Sequence, residues 1–378
     1  MGLWGAEPTM NAKYFESFLD QMLEIMPNLN YLMFSTNSYL GYDYVKLFIE
    51  AIDKLSKKYN KKDFNLHIQF SLDGPAWINE QSRKTGATQR TIDTMYAICD
   101  NFTDDFNGRV EINIKPTLAF DYMKKMLDEP ELLKEYFNFF ENLENTIAEK
   151  SKGKEKLDAH PHGWPTLVLP GEYTSENGKD YARWIKLLWD SKIDKKFSHN
   201  QPFRIINTMS RSVDTWELNE RVTCGAGASS IVLNADGAVI SCHQLGKYSS
   251  YSTEKCQVPI VQSHSTLTGE SVNKVEYTTN LLHAYDRNLF SYFEIMTIAL
   301  AKAGQIEPIY LTNQEARKFL YLFVTCAFCF AGQGEETQEP FIFSPSLIRF
   351  FGNGAAEMLF LYGQNQNLIR YELEKKEK

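Results

Sequence analysis

Six cysteines occur in the chain, and four of them stand in two pairs that can hold one inorganic centre. Cys224 is followed by twelve residues, Gly237, four more residues and Cys242. Cys326 and Cys329 form the second pair, in the segment TCAFCF. Four thiolates suit one 4Fe–4S cluster or one tetrahedral zinc ion. Buried thiols without metal are the third alternative. His243 follows Cys242 directly and can accept a proton near neutral pH, although an uninvolved exposed imidazole fits equally. Cys256 is a spare ligand candidate, and Cys99 sits on the apolar face of a helical pattern and is expected in a core. His160 and His162 flank a proline in a loop and are not expected to bind metal.

A second set of polar groups follows short apolar runs. Gly5-Ala6-Glu7-Pro8 comes after Leu3-Trp4 and before a helical pattern. Thr36-Asn37-Ser38 and Ser71-Leu72-Asp73-Gly74-Pro75 end two later runs, and Arg83 lies twelve residues past Ser71. Each alone reads as a turn, because Gly, Asn, Asp and Ser terminate strands. Together they occupy the carboxyl ends of successive strands, the edge at which parallel α/β folds hold ligands. There Glu7 offers an acceptor for an ammonium, Ser71 a hydroxyl, and Arg83 a planar fork for a carboxylate.

The elements that must position these groups alternate. Apolar residues recur at helical spacing over 11–25, 44–57, 88–100 and 130–148, and compact strand-like runs cover 30–35, 65–72 and 110–116, with further strands expected at 166–169 and 203–209. Strands alternating with helices imply a parallel sheet with crossover helices. From about residue 211 the texture changes. The runs 230–233 and 238–241 flank Asn234-Ala235-Asp236-Gly237, a hairpin signal. Residues 249–280 are Ser/Thr-rich and expected to be an irregular insertion, residues 281–303 and 313–331 read as helices, and the tail 372–378 is charged. The expected organisation is an α/β domain over 1–210 and an α+β domain over 211–378.

With 378 residues, of which 43% are hydrophobic, the chain can bury a large core beside a smaller one. A net charge of −8 argues against a general nucleic-acid binder, which carries a basic surface. The most apolar run, 319–331, is short of the roughly 20 residues that span a bilayer, so no membrane role is expected. The first residues lack a basic start followed by an apolar run, so the expected location is cytoplasmic, with reduced thiols.

In order and separation, the strand-end motifs resemble those of the radical S-adenosylmethionine superfamily, in particular its peptide- and sulfatase-maturing branch with a SPASM- or twitch-type auxiliary-cluster domain. Members show Gly-Gly-Glu-Pro, Thr-Asn-Gly, and Ser-Leu-Asp-Gly with a later Arg. These are matched here by Gly5-Ala6-Glu7-Pro8, Thr36-Asn37-Ser38, and Ser71-Leu72-Asp73-Gly74 with Arg83. Asn79-Glu80-Gln81-Ser82-Arg83 is similar to the family's His-Asp-x-x-Arg, and Cys224, Gly237 and Cys242 match the opening of its auxiliary domain.

The resemblance implies a partial (β/α)6 TIM-like barrel and S-adenosyl-L-methionine as cofactor. Gly5, Ala6 and Glu7 would hold the methionyl amino group. Ser71 and Arg83 would bind polar groups of the cofactor, Arg83 its carboxylate. Cys224, Cys242, Cys326 and Cys329 would ligate an auxiliary 4Fe–4S cluster, with zinc as the alternative. His243 stands where sulfatase-maturing relatives carry a proton-accepting Asp. The implied activity is modification of a peptide or protein substrate through a 5′-deoxyadenosyl radical.

Two departures shape this expectation. The family's CxxxCxxC loop, which precedes Gly-Gly-Glu-Pro, is absent, so the barrel is expected to lack its first strand and the chain to be a fragment, one half of a split enzyme or a degenerate relative. A segment supplied in trans would then pair with the exposed barrel edge. Glu335 stands where the longer SPASM pattern has its next cysteine, which leaves ligands for one centre only. The other class of function is a catalytically inactive zinc- or cluster-binding module that binds a peptide or partner subunit.

Overall fold

The computed structural model describes residues 1–3, 7–159, 166–168, 174–193, 232–233, 239–240, 258–265, 270–278, 346, 349–350, 352–354 and 356–357. The chain divides into two compact units, Met1–Pro170 with Ser198–Gln201, and Gly171–Phe197 with Pro202–Lys378.

The first unit is mixed α/β. Its strands are β1 (Gly2–Leu3), β2 (Tyr31–Thr36), β3 (Asn65–Phe70), β4 (Arg109–Ile114), β5 (Thr117–Ala119), β6 (Leu157–Ala159) and β7 (Thr166–Val168). The helices are α1 (Ala12–Ile25), α2 (Tyr42–Lys58), α3 (Ala76–Ser82), α4 (Ala87–Asn101), α5 (Phe120–Asp128) and α6 (Pro130–Ser151). Five strands form a parallel sheet in the order β1-β2-β3-β4-β6, and β5 pairs with β7 in parallel. The helices expected from 3.6-residue periodicity are present: α1 starts one residue later than expected, and α2, α4 and α6 run one to three residues past the expected bounds.

The hydrophobic core lies on one face of this sheet. Leu32 and Phe34 of β2, Leu66, Ile68 and Phe70 of β3, and Val110, Ile112 and Ile114 of β4 point to that face, at the two-residue period of a strand. Against them pack Phe15, Leu19 and Leu23 of α1, Phe48, Ile52 and Leu55 of α2, and Met95, Ile98 and Cys99 of α4. Phe48 joins the layers, with its ring 4.0 Å from Phe15 and 4.5 Å from Phe34, centroid to centroid. Each such buried Phe contributes roughly 1.5–3 kcal/mol by removal from water. Cys99 is fully buried here, as its helical pattern implied, and burial pushes its thiol pKa up to about 11. Gly108 precedes β4 at φ +130°, where a Cβ would collide with the carbonyl of Phe64. That carbonyl accepts the Arg109 N–H at 2.9 Å and begins the β3–β4 ladder.

The opposite face is different. Met33, His67, Glu111 and Asp158 form one registered row across β2, β3, β4 and β6, and Ser35, Gln69 and Asn113 form the next. Parallel strands are ordinarily apolar on both faces. On β2, β3, β4 and β6 the second face instead mixes Tyr31 and Met33 with polar and charged side chains.

In the second unit, α7 (Ser175–Ile193) buries Trp184, and Tyr181 stacks on Phe350 with centroids 5.1 Å apart. β8 (Val232–Leu233) and β9 (Val239–Ile240) pair antiparallel, the hairpin that the Asn234–Gly237 turn signal implied. Residues 249–280 are not wholly irregular, which corrects the expectation of an insertion without structure. β10 (Val258–Ser265) and β11 (Glu270–Thr278) form an antiparallel ribbon with shifts in register near Ser263. Their Val, Ile, Tyr and Thr content favours strands, and the bulges disturb the strict alternation that periodicity detects. The expected strand at 203–209 and the helices at 281–303 and 313–331 lie outside the described residues. Among the described residues no helix is long and apolar enough to cross a membrane.

Candidate functional site

Three polar loops meet along the carboxyl edge of β1, β2 and β3. Neighbouring strands are about 4.8 Å apart, so the three span roughly 10 Å. The loop after β1 leads to a 3₁₀ turn, Pro8–Asn11, capped by Glu7. Glu7 is buried, and its carboxylate is nearly saturated. Oε1 accepts from the Thr9 N–H at 3.1 Å, the Thr9 hydroxyl at 2.6 Å and the Thr36 hydroxyl at 2.8 Å. Oε2 accepts from the Asn37 N–H at 2.7 Å. A carboxylate has about four acceptor positions, two on each oxygen, so only Oε2 keeps capacity for an ammonium. Glu7 thereby stitches the first rim loop to the second.

The second loop turns through Ser38. Its φ of +53° is left-handed, where a Cβ is disfavoured. A glycine would adopt this conformation without that cost. The turn is held by Ser38 N–H to the Thr36 hydroxyl at 2.9 Å, Gly41 N–H to the Ser38 carbonyl at 2.9 Å, and the Thr91 hydroxyl of α4 to the Asn37 carbonyl at 3.2 Å. The Ser38 hydroxyl is buried without a hydrogen-bond partner among the described residues. Beside it, Lys84 donates to the Tyr39 hydroxyl at 3.1 Å and Arg90 donates to the Tyr39 carbonyl at 2.7 Å. The Lys84 hydrogen bond pulls the Tyr39 pKa below its ordinary value.

The third loop carries the site's strongest electrostatics. Asp73 is nearly inaccessible, and every acceptor it has is used. Oδ1 accepts from the Thr117 N–H at 2.9 Å and hydroxyl at 2.6 Å. Oδ2 accepts from Arg83 Nη2 at 2.9 Å, Arg83 Nε at 3.1 Å and, at 3.4 Å, the Ser82 hydroxyl. Asn79, fully buried on α3, accepts from the Asp73 N–H at 3.0 Å and Arg83 Nε at 3.1 Å, and donates to the Thr88 hydroxyl at 3.0 Å. Gly74 allows this packing, because a Cβ there would come 2.9 Å from the ring of Tyr136. Burial, with Asp73 second, pushes the Tyr136 pKa far above its ordinary value. Ser71 donates its N–H to the Thr36 carbonyl at 2.8 Å and is half-buried, with its hydroxyl 3.5 Å from that of Ser35.

The expected site residues Glu7, Ser71 and Arg83 thus share one sheet edge. Arg83 is not a bare cation. Its Nε and Nη2 are committed to Asp73, and only Nη1 lacks a partner among the described residues. Sequence reading missed Asn79 and Thr117 as the groups that fix Asp73 and Arg83. The four-residue spacing of Asn79 on α3 and Arg83 at its C-cap was the available signal. Gly5, Ala6, Cys224, Cys242, Cys326, Cys329 and His243 lie outside the described residues, as do Cys256, His160 and His162. Among the described residues no group of three or more His, Cys, Asp or Glu is arranged to hold a metal ion.

Sequence reading also missed a second polar centre, on the sheet face opposite the core. His67 Nδ1 lies 2.9 Å from the Tyr31 hydroxyl and 3.5 Å from Glu111 Oε2. Burial lowers the His67 pKa, and Glu111 opposes that shift. Burial, assisted by Glu111, raises the Tyr31 pKa. An open hollow of about 470 Å³ lies at the other end of β2, lined by Met1, Ile25–Tyr31, away from the rim.

Comparison with protein-family models, with curated proteins and with solved structures finds no match to this chain.

Proposed function

We propose that the carboxyl rim of the parallel sheet binds S-adenosyl-L-methionine, and that the chain is a radical S-adenosylmethionine enzyme, or part of one, acting on a peptide or protein in the cytoplasm. The supporting observation is the convergence of Glu7, the Thr36–Ser38 turn, Ser71 and the Asp73–Arg83 pair on one edge of adjacent parallel strands.

The donor set fits the methionyl end of that cofactor. Glu7 Oε2 keeps an acceptor position for the amino group. Arg83 Nη1 can donate to the carboxylate while Asp73 fixes the plane of the guanidinium, and the Ser71 hydroxyl is available for a polar group nearby. When bound and reduced by an iron–sulfur cluster, this cofactor supplies a hydrogen-abstracting radical. A partial (β/α)6 barrel belongs to the same proposal, as does an auxiliary 4Fe–4S cluster on Cys224, Cys242, Cys326 and Cys329. His243 is its proposed proton acceptor.

A catalytically inactive zinc- or cluster-binding module, docking a peptide or partner subunit, is the second reading. It is favoured by one feature: Asp73 already balances the charge of Arg83, as in a purely structural pair. Titration with S-adenosylhomocysteine separates the two. Saturable binding that Arg83→Gln and Ser71→Ala weaken supports a cofactor rim, and no binding supports the module. Anaerobic reconstitution with iron and sulfide should give a brown protein whose colour requires Cys224 and Cys326, whereas a colourless, zinc-containing product would exclude the cluster.

A further inference from the structure

Exposed apolar side chains are not spread evenly over the first unit. Among the described residues from 1 to 159, every large exposed one lies between Met10 and Leu47, and α1 with its two ends carries five of them. Tyr14 is 61% exposed, Phe18 42% and Ile25 75%, with Met10 just before the helix at 67% and Met26 at its C-cap at 43%. At about 100° per residue, Tyr14, Phe18 and Ile25 fall within about 40° of one another. With Gln21 they repeat at steps of four, three and four, the spacing of a coiled-coil seam. This stripe is not the side that α1 turns inward, since Phe15, Leu19 and Leu23 are buried roughly a third of a turn away. Nor does it face α2, because Glu16 and Asp20, which pair with Lys54 and Lys58 of α2, stand on the other flank. β1 ends the order of the five-stranded sheet, which puts α1 at the end of its helical layer.

We propose that this flank is the interface of a homodimer, in which α1 packs antiparallel on α1 of a second copy. Area and charge select that occupant. Side chains of this size present about 200 Å² each when fully exposed, so the five leave roughly 550 Å² of apolar surface in water. That matches the apolar share of a standard interface, which hides about 800 Å² per partner and is about 60% apolar. The exposed side of α1 carries one base near its start, Lys13, and one acid near its end, Glu24. A twofold axis perpendicular to the helix makes the two copies antiparallel and self-complementary. The Lys13 end of each helix then lies against the Glu24 end of the other, whereas parallel helices would set like charges side by side. A lipid surface fits less well. The polar border of Lys13, Ser17, Gln21 and Glu24 is not basic, and the chain carries −8 overall, so anionic headgroups are not attracted.

Sedimentation velocity of the full chain over about 0.1–100 μM should show a reversible monomer–dimer equilibrium, because interfaces of this size have dissociation constants from micromolar downwards. Phe18→Glu sets two carboxylates near the twofold axis and should raise the dissociation constant about 100-fold or more. Lys13→Glu and Glu24→Lys should each weaken the dimer about five-fold, and the two together should restore most of the loss, because the exchanged charges face each other again. Phe18 is exposed within one chain, so Phe18→Glu should melt no lower than the wild type at a dilution where both are monomers. A lower melting temperature there would show that Phe18 packs inside its own chain and would overturn the proposal. So would a monomer at every concentration, a dimer indifferent to Phe18→Glu, or a double charge exchange weaker than both single variants.

Discussion

The Asp73–Arg83 pair offers the sharpest test of how the rim is built. Arg83→Gln leaves a carboxylate that is 4% exposed with two donors from Thr117 and no counter-charge. Removing one partner of a buried ion pair costs about 3–5 kcal/mol. Arg83 is 22% exposed, so solvent screens part of the attraction, and the expected loss is about 2–3 kcal/mol. Asp73→Asn keeps the Thr117 contacts through its carbonyl but turns an amino group toward Nε and Nη2 of Arg83. The guanidinium can then swing toward water, and the expected loss is about 1–2 kcal/mol. In the double variant the two amides can pair, so the losses should fall short of additivity by about 1.5 kcal/mol. Native-state hydrogen exchange of the β3 and β4 amides reads the stability of this unit independently of the second one. Additivity within about 0.5 kcal/mol would refute a coupled pair at this position.

Two further outcomes follow from the same geometry. Ser38→Gly should raise the melting temperature, because it relieves a left-handed Cβ worth about 1–2 kcal/mol and an unpaired buried hydroxyl, against about 0.5–1 kcal/mol of added chain entropy; a lower melting temperature would show that the hydroxyl is paired. The Cys99 thiol titrates at about 11 when folded, against a reference of 9.0. Its stabilising contribution is therefore complete below pH 9 and is lost as pH rises toward 11, by up to about 3 kcal/mol, so the alkaline decline in urea midpoint should be shallower in Cys99→Ala.

The α/β character was legible wherever two periodicities separated cleanly. Phe15, Leu19 and Leu23 at helical spacing, and Leu66, Ile68 and Phe70 at strand spacing, fix both elements and the face they bury. The residues between them on β3 were less telling. Asn65, His67 and Gln69 break the continuous apolar run expected of a parallel strand, yet a period of two says only that they share a face, not which side chains the neighbouring strands place beside them. The partnership of Asp73 with Thr117 was beyond reach because 44 residues separate them and the register of β3 with β4 creates it. Glu7 was readable as a rim acceptor from its place after an apolar run. Its engagement by Thr9, Thr36 and Asn37 depends on β1 pairing beside β2, which two residues of strand, Gly2 and Leu3, do not announce.

The location of the cofactor rim can be measured residue by residue. Hydrogen exchange with and without saturating S-adenosylhomocysteine should slow at the amides of residues 36–41, 71–74 and 82–84, and Arg83→Gln should abolish that protection. Binding without protection at these three loops, or protection confined to other parts of the chain, would contradict the assignment of the rim.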